Sequence, residues 1–149
     1  MIALAYDPAT NPLNNNEWSF PLLECIHILG FTLSIGTIAI VDLRLLGLAL
    51  RKHGARELGK DLAPWTLVGL AVMLITGPLI FSSDPRMYLH NVSFRFKMGA
   101  LLLAILYHYT VHRWAVFNEP APATGKLVAV VSLALWVSVV AGGLFIAFF

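Results

Sequence analysis

The stretch LVAVVSLALWVSVVAGGLFIAFF, residues 127–149, decides the fold class of this chain. It contains no charged residue, and it does not alternate between apolar and polar positions as a strand of a membrane barrel does. A continuous run of about 20 apolar residues is the length that crosses the hydrocarbon layer of a membrane as a helix. Because a segment in lipid must satisfy its backbone hydrogen bonds internally, the stretch predicts a membrane-spanning α-helix.

The rest of the chain has the same apolar character. Of its 149 residues, 58% are hydrophobic and 12% are charged, which excludes an ordinary soluble core inside a charged shell. Continuous apolar runs cover about residues 21–50, 62–81, 92–117 and 126–149. These runs predict an all-α fold, a four-transmembrane-helix bundle, in a single integral membrane domain over residues 1–149.

The basic residues predict the orientation. They are concentrated in or beside the connections that follow the first and third runs: Arg51, Lys52, Arg56, Lys60, Arg113 and Lys126. Because short basic connections stay in the cytoplasm, we expect both termini on the outer, periplasmic side of a bacterial inner membrane. The net charge of +2 then reflects topology, and no nucleic-acid partner is expected. The single cysteine, Cys25, excludes an internal disulfide and a CxxCH haem attachment site.

Ionisable residues in the third run share one helical face. At about 100° per residue, Lys97, His108 and His112 align with two alanines, whereas Arg95 points the opposite way. An ionisable side chain at the membrane centre costs about 2.5–3.5 kcal/mol on insertion scales, so such residues normally face the interior of a bundle. The pattern therefore predicts an inward-facing polar stripe.

The first run carries a comparable ribbon. His27 is followed at helical spacing by the small or polar residues Gly30, Ser34 and Thr37. Small residues on one helical face allow the close approach of another helix, and they equally leave room for a flat cofactor. Both alternatives remain open from the pattern.

The rise of about 1.5 Å per residue sorts these groups into two levels. His27 and Lys97 fall near the outer surface. His108 lies just inside the midplane, and a structural charge group is predicted at the inner end: Asp42, Arg44 and His112. His27 and His108 are the candidate metal ligands, but they differ in depth by about 14 Å. A haem held by one histidine is therefore easier to build than one held by two.

Two segments carry a resemblance to known families. HILGFTLSIGTIAIVDLRLLGL, residues 27–48, and NVSFRFKMGALLLAIL, residues 91–106, resemble an uncharacterised bacterial family of small four-span membrane proteins, with DLRLLG as the most specific motif. That resemblance implies a fold and no activity.

More distantly, the chain is similar to the small membrane protoporphyrinogen oxidase family. The matching positions are His27, Arg44, Thr76-Gly77, Lys97 and His108. A further similarity, to the copper-resistance membrane domain, is confined to HILGFTLSIG. The oxidase resemblance implies haem b, with the first-span histidine and the third-span lysine required for function.

Two functions are expected from these observations. The first is a haem-b-type or porphyrin-binding redox or electron-transfer protein. The haem or porphyrin group would lie beside His27 and the Gly30/Ser34 ribbon, with Lys97 and Arg95 near the carboxylates of the group. The alternative is a non-catalytic structural or assembly subunit, whose partners are the lipid bilayer and other membrane subunits or a second copy of the chain. A metal or proton transporter needs polar groups throughout the membrane, and the gap between the two levels argues against it.

Overall fold

The computed structural model describes residues 7–148, and every regular element in that part of the chain is helical. Residues 1–6 of the predicted domain and residue 149 of the fourth run lie outside the described residues. The main elements are α1 Ser19–Leu46, α2 Ala55–Ser83, α3 Pro85–His90, α4 Val92–Tyr107, a π-helical turn His108–His112, α5 Arg113–Asn118 and α6 Pro122–Leu144. Short 3₁₀ helices occupy Pro8–Thr10, Pro12–Asn14 and Phe145–Phe148. The predicted all-α class is confirmed.

Three of the predicted runs form helices that are long and apolar enough to cross a membrane: Ser19–Leu46, Ala55–Ser83 and Pro122–Phe148. The other run forms α4, the π-helical turn and α5 in direct succession. These lengths and compositions are those of a membrane protein.

Two helix ends differ from the sequence-based expectation. The helix α1 ends before Gly47, whose φ of 76° is a left-handed conformation that glycine adopts without strain. The N–H of Gly47 bonds to the Arg44 carbonyl, which closes the helix. The helix α2 begins at Ala55, earlier than expected, and contains Pro64 in its interior.

The bundle has two ends, and the connections between the helices lie at these ends. At one, which we call the arm end, residues 7–18 hydrogen-bond to the end of α2, and the 3₁₀ turn after α6 hydrogen-bonds to the residue that precedes α4. Asn11 is buried there and donates to the Ser82 carbonyl at 2.7 Å, and Asn91 donates to the Ile146 carbonyl at 2.9 Å. The opposite end, which we call the loop end, contains connections 47–54 and 119–121. The N-terminal arm is therefore tied onto the bundle through Asn11.

An apolar layer lies between the two ends. Trp136 of α6 is 2% exposed and packs in one cluster with Val139 of the same helix and with residues from α1, α2 and α4: Ile38, Leu70, Met73, Ala100 and Ala104. The cluster combines the large Trp136 side chain with the small alanines of α4, so the layer contains both large and small side chains. The polar groups are thereby separated into an arm-end set and a loop-end set.

Candidate functional site

At the arm end, α1 and α2 together orient the His27 ring. Its Nδ1 lies 2.7 Å from Oγ1 of Thr76, and that hydroxyl donates to the Val72 carbonyl at 2.7 Å. A hydroxyl has one proton, so Thr76 accepts from His27, and Nδ1 carries the ring proton. Nε2 then keeps its lone pair. A histidine whose other nitrogen is fixed by a hydrogen bond is typical of a metal ligand.

Lys97 of α4 lies in the same arm-end region. Its charge acts on His27, and the charge of Glu24, one turn before His27, acts on Lys97. The backbone of α4 approaches α6 closely here, because a Cβ added at Gly142 would lie 3.1 Å from Cα of Lys97. The structure thus brings His27 and Lys97 into one region, as their predicted depths require.

The Gly30/Ser34 ribbon is used for helix packing. A Cβ added at Gly69 of α2 would lie 2.6 Å from the Gly30 carbonyl oxygen and 2.6 Å from the Ser34 N. Both ribbon residues are buried by this contact. Of the two alternatives left open by the sequence, close approach of another helix is the one observed, and no flat group can lie on the same surface. Gly77 differs, because a Cβ added there would meet only Cε1 of His27, at 3.5 Å.

At the loop end, three elements meet at Asp42 of α1. Its carboxylate is fully buried and accepts from Nε2 of His112 at 2.8 Å and from Oγ of Ser132 at 2.7 Å. His112 belongs to the π-helical turn and Ser132 to α6. The group therefore holds α1, the π-helical turn and α6 together through one carboxylate.

The remaining predicted residues lie elsewhere. Arg44 is not part of the Asp42 group: its Nε donates to the His53 carbonyl in the connection after α1. Arg95 is exposed on α4, facing away from the stripe as predicted. His108 stacks on His112, with ring centroids 5.0 Å apart and planes at 26°. His108 therefore belongs to the loop-end set and does not meet His27.

Two cavities flank these sets. A cavity of about 50 Å³ at the loop end is bordered by His108, His112, Thr37 and Thr66. A cleft of about 490 Å³ at the arm end includes Glu24 and Tyr88. Burial raises the pKa of Tyr88, and the charges of Glu24 and Asp84 act in the same direction. Neither cavity contacts His27.

The donor sets limit metal binding. Within residues 7–148, no group of three or more histidine, cysteine, aspartate or glutamate residues is placed to hold a metal ion. His27 and His108 lie at different levels of the bundle, since His108 stacks beside the Asp42 group, which begins about 22 Å along α1 from His27. A metal-containing group bound to His27 would therefore have His27 as its single histidine ligand from the described residues.

Sequence reasoning missed Ser132 and Thr66. Ser132 is one of few polar residues in the most apolar run, and that rarity was the available signal. Thr66 hydrogen-bonds to Thr37 at 2.8 Å, a pairing of two helices that no sequence spacing indicates. The π-helical turn likewise has no recognisable sequence pattern.

Comparison with known proteins gives one result. Residues 20–149 match the family of unknown function DUF6644. No curated protein and no solved structure matches the chain.

Proposed function

The chain belongs to DUF6644, a family of unknown function, and we propose that it is an integral membrane protein that holds a haem-type redox group on His27. The observation that carries this proposal is the Thr76 hydrogen bond, which leaves Nε2 of His27 unprotonated and free to ligate. The group when bound supplies one-electron transfer, or oxidation of a tetrapyrrole.

The residues fit such a group in part. His27 supplies one oriented nitrogen, and Lys97 supplies a cation for a carboxylate at the same level. Gly30 and Ser34 do not fit, because α2 covers them. The group would therefore be held on the side of His27 that faces Gly77 and Lys97.

In this proposal the run 92–118 also crosses the membrane, which makes four spans in all. The arm end, with His27 and Lys97, then lies on the periplasmic side of a bacterial inner membrane. The basic connections Arg51–Lys60 support this orientation, since they follow α1 at the loop end. The roles of the protein are to ligate, to balance charge and to restrict water near the group.

Absorption spectroscopy tests the proposal. The protein is purified from haem-supplied cells in mild detergent, beside His27→Ala and a matched control, His53→Ala, in an exposed connection. We expect a Soret band in the wild type and in His53→Ala, and its loss in His27→Ala. Thr76→Val, which removes the orienting hydroxyl, is expected to weaken group binding by about 10–100-fold. Absence of a Soret band, or an unchanged band in His27→Ala, would contradict the proposal.

A second candidate function has an observation in its favour. The Glu24, His27 and Lys97 side chains lie near one another at the arm end. A structural or assembly subunit of a larger complex would use this face to pack against a partner helix. This candidate is supported over the redox function if the protein co-purifies with a defined membrane complex and shows no Soret band. The co-purification is then expected to be lost in Lys97→Ala.

A further inference from the structure

The loop-end half of the bundle contains a polar cluster that has no part in the proposed redox site. Asp42 is 0% exposed, and both of its oxygens accept hydrogen bonds. His112, one of the donors, stacks on His108. The His108 ring nitrogen Nδ1 is buried and has no hydrogen-bond partner among the described residues. An ionisable ring in this position is costly unless something else binds it.

The cavity beside these rings is large enough to hold water that could bind the His108 ring. Its volume is about 50 Å³, whereas one water molecule needs about 10–15 Å³ measured in this way. Its wall includes His108, His112 and the hydroxyl pair of Thr37 and Thr66. A buried water is stable where two to four polar partners surround it, and this wall supplies them.

The charges around the cavity act on an added proton in opposite directions. Groups face the cluster from each packed element: Asp42 from α1, Thr66 from α2, Tyr107 from α4, Arg113 from α5 and Ser132 from α6. Arg113 is the cation of the cavity wall, and Asp42 is the anion beside the rings. The like charge of Arg113 opposes a proton on the stacked histidines, and the Asp42 carboxylate, which accepts from His112, is the anion that compensates one.

We propose that this cavity is a hydrated proton-binding site that opens toward the loop end. Water bound in the cavity hydrogen-bonds to His108. A proton from the aqueous phase at the loop end passes through this water to the stacked histidines, where Asp42 balances its charge. The proton leaves by the same route, and no other bond forms or breaks.

The site is one-sided. The apolar layer around Trp136, Ile38 and Val139 lies between it and the region of His27 and Lys97, so we expect the proton to exchange with the loop-end side alone. The π-helical turn is part of the arrangement, because it holds His108 and His112 in a stack on the cavity wall. Single π-helical turns of this kind are frequent at functional sites. The site therefore reports the acidity of one side.

Nitrogen NMR tests the proposal. The full chain is labelled with ¹⁵N in its histidine rings and placed in lipid nanodiscs, and the signals are assigned with His108→Phe and His112→Phe. The exposed His53 and His90 serve as internal references. We expect magnetisation transfer from water to the His108 ring, and we expect the His108–His112 pair to gain one proton as the pH falls. In Asp42→Asn the protonated fraction at a given pH is expected to fall about tenfold or more, since the balancing anion is gone.

Three results would overturn the proposal: a His108 ring without water contact, a pair that stays neutral throughout the pH range of the folded protein, or equal titration in Asp42→Asn. If Asp42→Asn does not fold, the wild-type water and titration measurements still decide the matter. Ser132→Ala then serves as the milder variant, because it removes one donor from Asp42 and keeps the carboxylate. No residue of this test belongs to the His27 site, so the two proposals fail separately.

Discussion

At the residue scale, the chain differs from a generic apolar bundle mainly at Asp42. A carboxylate without solvent exposure is stable only if donors satisfy its oxygens, and His112 and Ser132 do so from two other segments. The two donors differ in kind, because the imidazole can carry a compensating charge and the hydroxyl cannot. Their removal should therefore have unequal consequences.

We expect His112→Phe to lower the free energy of unfolding by about 3 kcal/mol or more, since the Asp42 carboxylate then loses its ring donor inside the bundle. Ser132→Ala removes one neutral donor and is expected to cost about 1 kcal/mol. Unfolding by added SDS in mixed micelles measures both. Equal losses would show that Asp42 does not depend on the histidine.

Ser34 provides the opposite case at this scale. Its hydroxyl is fully buried and has no partner among the described residues. Removing the hydroxyl therefore breaks no hydrogen bond among the described residues. A buried polar group without a partner lowers stability by about 1–3 kcal/mol.

Replacing Ser34 by alanine removes that unsatisfied group without enlarging the side chain. We expect Ser34→Ala to leave the unfolding free energy unchanged or to raise it by about 1 kcal/mol. The same SDS titration gives the measurement, and a clear loss of stability would show that the hydroxyl has a partner after all.

At the element scale, the helix pair α1 and α2 depends on a crossing without side chains between the backbones. Gly69 touches the Gly30 carbonyl and the backbone of Ser34 so closely that a methyl group does not fit. Small residues drive helix association in membranes because they permit this distance. The ribbon at Gly30 and Ser34 was recognisable in the sequence, but its partner on α2 was not.

Gly69→Ala is accordingly expected to destabilise the protein by at least about 2 kcal/mol, because backbone atoms at 2.6 Å cannot yield as a flexible side chain does. Gly36→Ala in α1 is the matched control, since a Cβ there meets nothing within 4 Å. Its stability should stay the same or rise, because alanine favours the helix. Similar losses in both variants would contradict the observed crossing.

At the scale of the whole molecule, the bundle divides into two polar levels separated by the layer around Trp136. The arm end gathers the start of α1, the end of α2, α3 and the start of α4, while the loop end gathers the opposite termini. With four membrane crossings, every arm-end segment would lie on one side of the membrane and every loop-end segment on the other, so the side on which each connection lies tests the number of crossings.

Cysteine accessibility measures that arrangement. In a Cys25→Ser background, single cysteines replace Asn16 and His90 at the arm end and His53 and Ala121 at the loop end, all exposed positions. An impermeant maleimide on spheroplasts should label the two arm-end cysteines, and the other two only after permeabilisation. His90 and Ala121 labelling from the same side would mean that residues 92–118 do not cross, which contradicts four spans.

The sequence by itself determined the helical class, the presence of segments long and apolar enough to cross a membrane, and which faces turn inward. Lys97, His108 and His112 lie on the face that enters the bundle, with Arg95 outside it, because helical periodicity and the cost of polar groups in lipid are both properties of a local segment. Only the tertiary structure decided the partners. Asp42 pairs with His112 rather than with the nearby Arg44, and Thr76 orients His27. These pairings depend on how residues far apart in the chain meet at one depth, which the periodicity of a single helix does not specify.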